Sequence, residues 1–371
     1  VNGDGLHDAL VGAWVADPLG RTNAGAAYLV WGAPVSATLQ APELAGRGVM
    51  LAGPAANASA GWSVAGLGDV NGDGLDDVAI GAWGAAPQGR ATAGSVYVVW
   101  GGALSGTLDL ADLGARGYRI DGALAADRAG YAVAGIPDLN GDGKAEVVLG
   151  AIGADGGGSN AGAAYVVWGS ALTATIDLAS LGGGGFRIDG AAADDRAGSA
   201  VGSAQDMNGD GKAEVLVGSY VADPLGRSAA GSVAVVWGQA GGAARSIGSL
   251  GGAGFVLAGA AAGDRAGISV VGLDDANGDG RGDMALGSDQ GPGGGAGKVH
   301  LVHGGALSGT LNLAEPFGGA LLLGAGAGDE TGYAIGATGT ELLIGAYNAN
   351  DEAGRVYVVA TEAASGTISL G

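Results

Sequence analysis

Carboxylate-rich nonapeptides recur along this chain. Asp69-Val-Asn71-Gly-Asp73-Gly-Leu75-Asp-Asp77 is followed by Asp138 to Glu146, Asp206 to Glu214 and Asp275 to Asp283, at intervals of 69, 68 and 69 residues. A copy without its first acidic residue, Asn2 to Asp8, opens the sequence. Oxygen donors at positions one, three, five and nine, with Gly at four and six for the sharp turns, can converge on one hard cation. The expected ligands of the first loop are Asn2, Asp4, the Leu6 carbonyl and Asp8. Those of the second are Asp69, Asn71, Asp73, the Leu75 carbonyl and Asp77. The third set is Asp138, Asn140, Asp142, the Lys144 carbonyl and Glu146; the fourth is Asp206, Asn208, Asp210, the Lys212 carbonyl and Glu214. Asp275, Asn277, Asp279, the Arg281 carbonyl and Asp283 complete the series. All-oxygen donors favour Ca²⁺ over Zn²⁺, and the donor count exceeds what Mg²⁺ takes from protein, so four or five Ca²⁺ ions are expected. A solvated Asx-turn would explain one such loop, but not four complete copies in register. An EF-hand would need a bidentate Glu at position twelve between helices, where Ile80 and Leu149 stand in apolar runs. Without a cation, three carboxylates in each full loop repel one another. With Asp4 and Asp8 they make 14 of the 37 acidic residues, so five Ca²⁺ would move the formal charge from -21 to about -11. Calcium is therefore expected to stabilise the fold by linkage.

Short strands must position these loops. Each loop runs into an apolar stretch ending in Gly: Ala9-Leu-Val-Gly12, Val78-Ala-Ile-Gly81, Val147-Val-Leu-Gly150, Val215-Leu-Val-Gly218 and Met284-Ala-Leu-Gly287. A sixth, Leu342-Leu-Ile-Gly345, follows Thr338-Gly-Thr-Glu341 in place of an acidic loop. Every unit has a second run, such as Tyr97-Val-Val-Trp100 or Tyr165-Val-Val-Trp168. A third resembles Tyr118-Arg-Ile120, and a fourth, after a short linker, resembles Gly61-Trp-Ser-Val64. Four β-branched or aromatic runs per unit, separated by Gly-rich turns, predict four-stranded propeller blades. A linear solenoid uses about 20 to 45 residues per repeat, which the 69-residue period exceeds. The expected fold is an all-β propeller in a single domain, with units at about 1–60, 61–129, 130–197, 198–266, 267–331 and 332–371, the first and last incomplete. That makes six blades, or seven if a unit lies outside the sequence.

Composition narrows the function classes. There are 82 Gly among 371 residues, roughly three times ordinary usage, yet they are irregularly spaced and only 9 Pro accompany them, which excludes a collagen helix. A hydrophobic fraction of 47% and a mean hydropathy of +0.30 require a buried core rather than disorder. Small residues suit inner strands and faces where blades crowd together. The net charge of -21 repels nucleic-acid backbones and anionic lipid and favours cations. No apolar run reaches the roughly 18 residues of a membrane span, so no membrane insertion is expected. With no Cys, thiolate metal sites and Cys nucleophiles are absent, and three His leave little for a His-rich catalytic metal site.

Gly61-Trp-Ser-Val64 followed by Gly68-Asp69-Val-Asn71-Gly-Asp73-Gly-Leu-Asp-Asp77-Val-Ala-Ile-Gly81-Ala resembles the FG-GAP repeat, which builds the calcium-binding β-propeller of integrin α-subunits and many bacterial surface proteins. The resemblance covers essentially the whole chain, and the acidic loop is its most specific part. Ala or Thr stands where the family has Phe, and Trp14, Trp83, Ile152 or Tyr347 where it has Pro, which alters packing rather than calcium chemistry. In that family a blade starts at the Gly-x-x-Val strand, so the first unit lacks its innermost strand and the sixth its outermost. The resemblance therefore implies a piece of a longer chain, or strands donated by a neighbouring molecule.

Other motifs have plainer readings. Arg281-Gly-Asp283 spells an adhesive tripeptide, but Asp283 is position nine of a loop and should point inward. His300 and His303, three apart on a strand, face opposite sides and should pack rather than bind a metal. Asn57-Ala-Ser59 is a glycosylation acceptor sequence expected to be unoccupied. Trp31, Trp100, Trp168 and Trp237, aligned at strand ends, suit packing between blades better than a sugar-binding ring. No nucleophile elbow or catalytic carboxylate pair stands outside the loops, so no enzyme is expected. The function expected is a non-catalytic, extracellular or cell-surface, bacterial calcium-stabilised module for adhesion to a protein or glycan ligand. The alternatives are a structural subunit that binds copies of itself in a filament or layer, and an accessory domain of a larger secreted enzyme.

Overall fold

Apolar runs bounded by glycine form antiparallel strands throughout a computed structural model that describes residues 1–33, 44, 46–290, 294–315, 318–339, 341–362 and 364–371. Two compact units result. One comprises Val1–Ala154, Tyr165–Arg187 and Gly241–Ala243, the other Asp155–Ala164, Ile188–Ala240 and Ala244–Gly371.

The second sheet shows the plan. Strands Ser63–Gly68, Asp77–Ala82, Ser95–Val99 and Gly117–Asp121 lie side by side in sequence order. Ile80 pairs with Tyr97, and Tyr97 with Arg119. Every residue of Asp77–Ala82 and Ser95–Val99 is buried, as central strands covered on both faces require. In the third sheet Ala129–Ile136 pairs antiparallel with Glu146–Ala151, as the first two strands of the second sheet do. In the second unit, the fourth sheet holds Ala200–Ala204, Glu214–Ser219, Ser232–Val236 and Gly254–Ala258, and the fifth holds Ser269–Leu273, Asp283–Ser288, Lys298–Val302 and Gly319–Leu323. The first sheet has Ala9–Ala13, Ala26–Val30 and Gly48–Ala52, without a Gly-x-x-Val strand; the sixth has Thr331–Thr338, Glu341–Ala346 and Arg355–Ala360. Between the first two strands of the sixth sheet the acidic loop is replaced by a short turn, whose Thr340 lies outside the described residues. The fold is all-β, a series of blade-like sheets of the kind that builds a multi-blade propeller.

The second to fifth sheets each hold the four expected antiparallel strands and one strand more. A parallel edge strand from the following repeat joins each of the first five sheets: Gly106–Asp109, Ile176–Asp177, Arg245–Ser246, Gly309–Asn312 and Gly366–Ser369. Leu51 thus pairs with Leu108, and Leu257 with Leu311. Each sheet is thereby tied to the next stretch of chain by hydrogen bonds as well as by packing.

Within each unit, adjacent sheets share cores. Leu29, Val49 and Leu51 of the first sheet pack with Val78, Ile80 and Val99 of the second, and Trp31 lies against that cluster. Val235, Phe255 and Leu257 of the fourth sheet pack with Met284, Leu286 and Val302 of the fifth, against which Trp237 rests, its ring 5.4 Å from that of Phe255. His300 is buried in the fifth sheet and His303 half-buried just beyond the strand. Gly94 shows what the glycines permit: its φ is +79°, and a Cβ there would stand 2.1 Å from the Ala129 carbonyl oxygen. The bridge to Ala129 recurs at Gly25, Gly162, Gly231 and Gly297, each opposite the start of the next repeat. Among the described residues, no helix is long and apolar enough to cross a membrane.

Candidate metal centre

Every acidic loop joins the first strand of a sheet to the second, apart from the first loop, which leads straight into Ala9–Ala13. Position one gathers amides. Asp69 accepts from Gly72 at 2.6 Å, Asp73 at 3.1 Å and Gly74 at 2.7 Å, and Asp138, Asp206 and Asp275 make the same three bonds. Position three accepts the amide of position five, as Asn71 does from Asp73 at 2.8 Å; Asn2, Asn140, Asn208 and Asn277 repeat it. Position five holds the amide of position seven. Asp4 accepts from Leu6, Asp73 from Leu75, Asp142 from Lys144, Asp210 from Lys212 and Asp279 from Arg281, at 2.8 to 3.0 Å. The glycines at positions four and six supply left-handed turns, with φ +85° and +87° at Gly72 and Gly74.

Position nine is different in kind. Asp77, Glu146, Glu214 and Asp283 open the apolar second strand and are fully buried. Each accepts the amide of position two of its own loop: Val70 at 3.0 Å, Leu139 at 3.1 Å, Met207 at 3.1 Å and Ala276 at 2.8 Å. Asp77, Glu146 and Asp283 also accept from Gly101, Gly169 and Gly304, each two residues beyond the end of a strand, and Asp8 accepts likewise from Gly32. The sequence reading made position nine a ligand and missed this second anchoring role. The recurring Gly one residue after the strand-end Trp or His was its signal. Burial of Asp283 removes the Arg-Gly-Asp tripeptide from adhesive use.

Glu214 carries the test of fit. Its Oε2 accepts the Met207 amide, while Oε1 is buried without a hydrogen-bond partner. Carboxylate oxygens of Asp206, Asp210 and Glu214 all lie within 4.8 Å of one another; among the described residues this is the set that converges so closely. Burial first, then the charges of Asp206 and Asp210, push the Glu214 carboxyl up to about 8. Asp77 is pushed up to about 6, mainly by burial, and Glu146 and Asp283 are raised for the same reason. An orphaned acidic oxygen facing two further carboxylates is the chemistry a hard divalent cation satisfies.

The opposite ends of the same strands carry aromatic side chains. Trp62 precedes Ser63–Gly68 and Trp83 follows Asp77–Ala82, so both sit away from the acidic loop. Trp62 centres a cluster, with ring centroids 5.2 Å from Trp14, 5.9 Å from Trp83 and 5.4 Å from Tyr131, and Arg128 lies over Trp83. Trp14 is 44% and Trp62 37% exposed, more than packing alone requires.

Three segments, residues 60–99, 129–167 and 197–236, match the FG-GAP repeat family, and they contain the second, third and fourth acidic loops. No curated protein matches the sequence. Among solved structures, the chain is similar to one described as "Crystal structure of BBS1N in complex with ARL6DN, soaked with lead", at 10% identity and a TM-score of 0.39, over 96% of this chain and 80% of that one.

Proposed function

We propose, from the premise that the chain is an FG-GAP repeat protein, that it is a non-catalytic, calcium-stabilised binding module of the cell surface. The observation that carries this reading is the unpartnered, buried Oε1 of Glu214 beside Asp206 and Asp210. In the fourth loop Asp206, Asn208, Asp210, the Lys212 carbonyl and Glu214 would hold the ion, and equivalent residues would hold ions in the other loops. Calcium supplies positive charge that offsets the repulsion among these acids. The chain's own residues do the rest: position one folds the turn, and position nine fastens the loop to the next strand. Millimolar extracellular Ca²⁺ suits sites of modest affinity, which favours a surface location. The aromatic cluster about Trp62 offers stacking area for a protein or glycan ligand.

Val356 and Val358, exposed on the edge strand Arg355–Ala360, favour a second reading, in which strands add between copies to build a surface layer.

Calorimetric calcium titration, paired with light scattering in calcium and in EGTA, tests both. The binding module predicts calcium uptake, a higher melting temperature and a constant mass, with one site weakened by Glu214→Gln. Calcium-dependent growth in mass would select the structural subunit. Absence of calcium uptake in the millimolar range would overturn the metal assignment.

A further inference from the structure

Within each unit, consecutive loops touch. The amide of Ala145, position eight of the third loop, donates to the carbonyl of Asp69, position one of the second, at 2.9 Å; Gly282 donates to Asp206 in the same way at 2.9 Å. This clamp fixes the residue before it, position seven, above the preceding loop. A methyl group added at Gly72 would stand 3.4 Å from Lys144 Cε and within 3.9 Å of its Cγ and Cδ. At Gly209 the same methyl would meet Arg281 Nε and Nη2 at 4.0 Å, and at Gly3 it would meet Leu75 Cδ2 at 3.0 Å. Gly141 of the third loop and Gly278 of the fifth, by contrast, face open space. In the first, second and fourth loops position four is therefore glycine for two reasons: it turns the chain left-handed, and it leaves a seat for the neighbouring loop's side chain.

That seat is occupied by a neutral residue over the first loop and by a cation over the second and fourth. Lys144 Nζ lies 3.9 Å from Asp142 of its own loop, while the carbon stem that carries it lies over Gly72 of the preceding one. We propose that the side chain at position seven sets the calcium affinity of the preceding loop: Lys144 that of Asp69–Asp77, and Arg281 that of Asp206–Glu214. The inference rests on the calcium reading of the loops. A fixed positive charge beside the carboxylates offsets part of their repulsion when no ion is bound, and repels a divalent cation that approaches. The covered loops thus bind calcium more weakly than their own ligands would dictate. Because the position-seven ligand is a backbone carbonyl, the side chain can change while the donor set stays intact.

The variants Lys144→Met and Arg281→Met keep an unbranched stem and remove the charge. In calorimetric calcium titrations of the full chain, each is expected to tighten one site by about three- to ten-fold at low salt, with the gain shrinking as added salt screens the charge. Combining Lys144→Met with Asp73→Asn, which impairs the second loop, should abolish the gain. Leu75→Lys should weaken the first loop by a similar factor. Melting temperatures in EGTA check that the variants fold. If the wild type binds no calcium, the metal reading falls and this inference with it. Should the wild type bind calcium while Lys144→Met and Arg281→Met leave affinities within twofold, the inference alone is overturned. A gain that survives Asp73→Asn would place the effect of Lys144 on its own loop and overturn it equally.

Discussion

Arg90 and Asp177 stand 87 residues apart in sequence and meet through two parallel hydrogen bonds, Nη1 to Oδ1 at 2.8 Å and Nη2 to Oδ2 at 2.6 Å. Arg90 Nη1 also donates to the Gly122 carbonyl at 2.7 Å. The Pro87–Gly89 turn of one repeat is thereby fastened to the parallel edge strand Ile176–Asp177, which comes from the next. Arg21 does the same to Asp109 and Gly53, and Arg227 to Asn312 and Gly259. The near-identical segments Ala16–Arg21 and Ala222–Arg227 are two copies of this staple.

The Arg227–Asn312 copy shows that the geometry survives without a carboxylate, so Asp177→Asn should cost only about 1 kcal/mol or less for this partly exposed pair. Arg90→Met also strands the Gly122 carbonyl and should cost more, about 1 to 2 kcal/mol. The Arg90 guanidinium holds the Asp177 carboxyl well below the usual carboxylate range. A depressed folded-state value means stability that is present above about pH 4 and lost as the pH falls below it. Urea unfolding of wild type and Asp177→Asn should therefore converge as the pH drops from about 5 toward about 2.5. Curves that stay parallel would show that the pair contributes nothing through charge.

Two glycines with similar φ should respond very differently to substitution. Gly94 has φ +79° and no room for a Cβ against the Ala129 backbone, whereas Gly106 has φ +70° and nothing within 4 Å. Gly106→Ala should cost about 1 kcal/mol, the penalty of a left-handed alanine. In Gly94→Ala two backbones must separate, and a loss of about 3 kcal/mol or more is expected. Thermal melts compare them directly, and equal losses would refute close approach as the reason for the repeated Gly–Ala bridge.

The strands with continuous apolar character were legible in the sequence. Tyr97-Val-Val-Trp100 and its relatives announce themselves because both faces of a central strand are buried. The fifth strand was not, because Gly106-Thr-Leu-Asp109 offers one inward side chain and its partner belongs to the preceding repeat. Its recurrence as Ala174-Thr-Ile-Asp177, Gly309-Thr-Leu-Asn312 and Gly366-Thr-Ile-Ser369 was the available signal. Likewise, the loop residues could be read from spacing alone, since positions one to nine are local. The bond from Gly101 to Asp77 spans 24 residues, and the seat of Lys144 on Gly72 joins two repeats, so neither follows from the pattern of one loop.

His300 offers a pH test that does not involve the acidic loops. It is 1% exposed on Lys298–Val302 and stands in register between Leu286 and Leu321. Burial, reinforced by the nearby Lys298 charge and opposed by Asp264, lowers its imidazole to about 4. A base whose folded-state value is depressed favours the unfolded chain once protons become available. Stability should be complete above the ordinary value near 6.5 and fall as the pH drops toward about 4, by up to about 1.4 kcal/mol per pH unit. His300→Leu removes the titration and keeps the site apolar. Any packing offset from leucine is independent of pH, and other titrating groups cancel when the two proteins are compared. The stability difference, leucine variant minus wild type, should accordingly grow in favour of the variant between about pH 6.5 and about pH 4.5 in calcium-containing buffer. A difference that is flat across this window would mean that His300 is not held neutral in the folded protein.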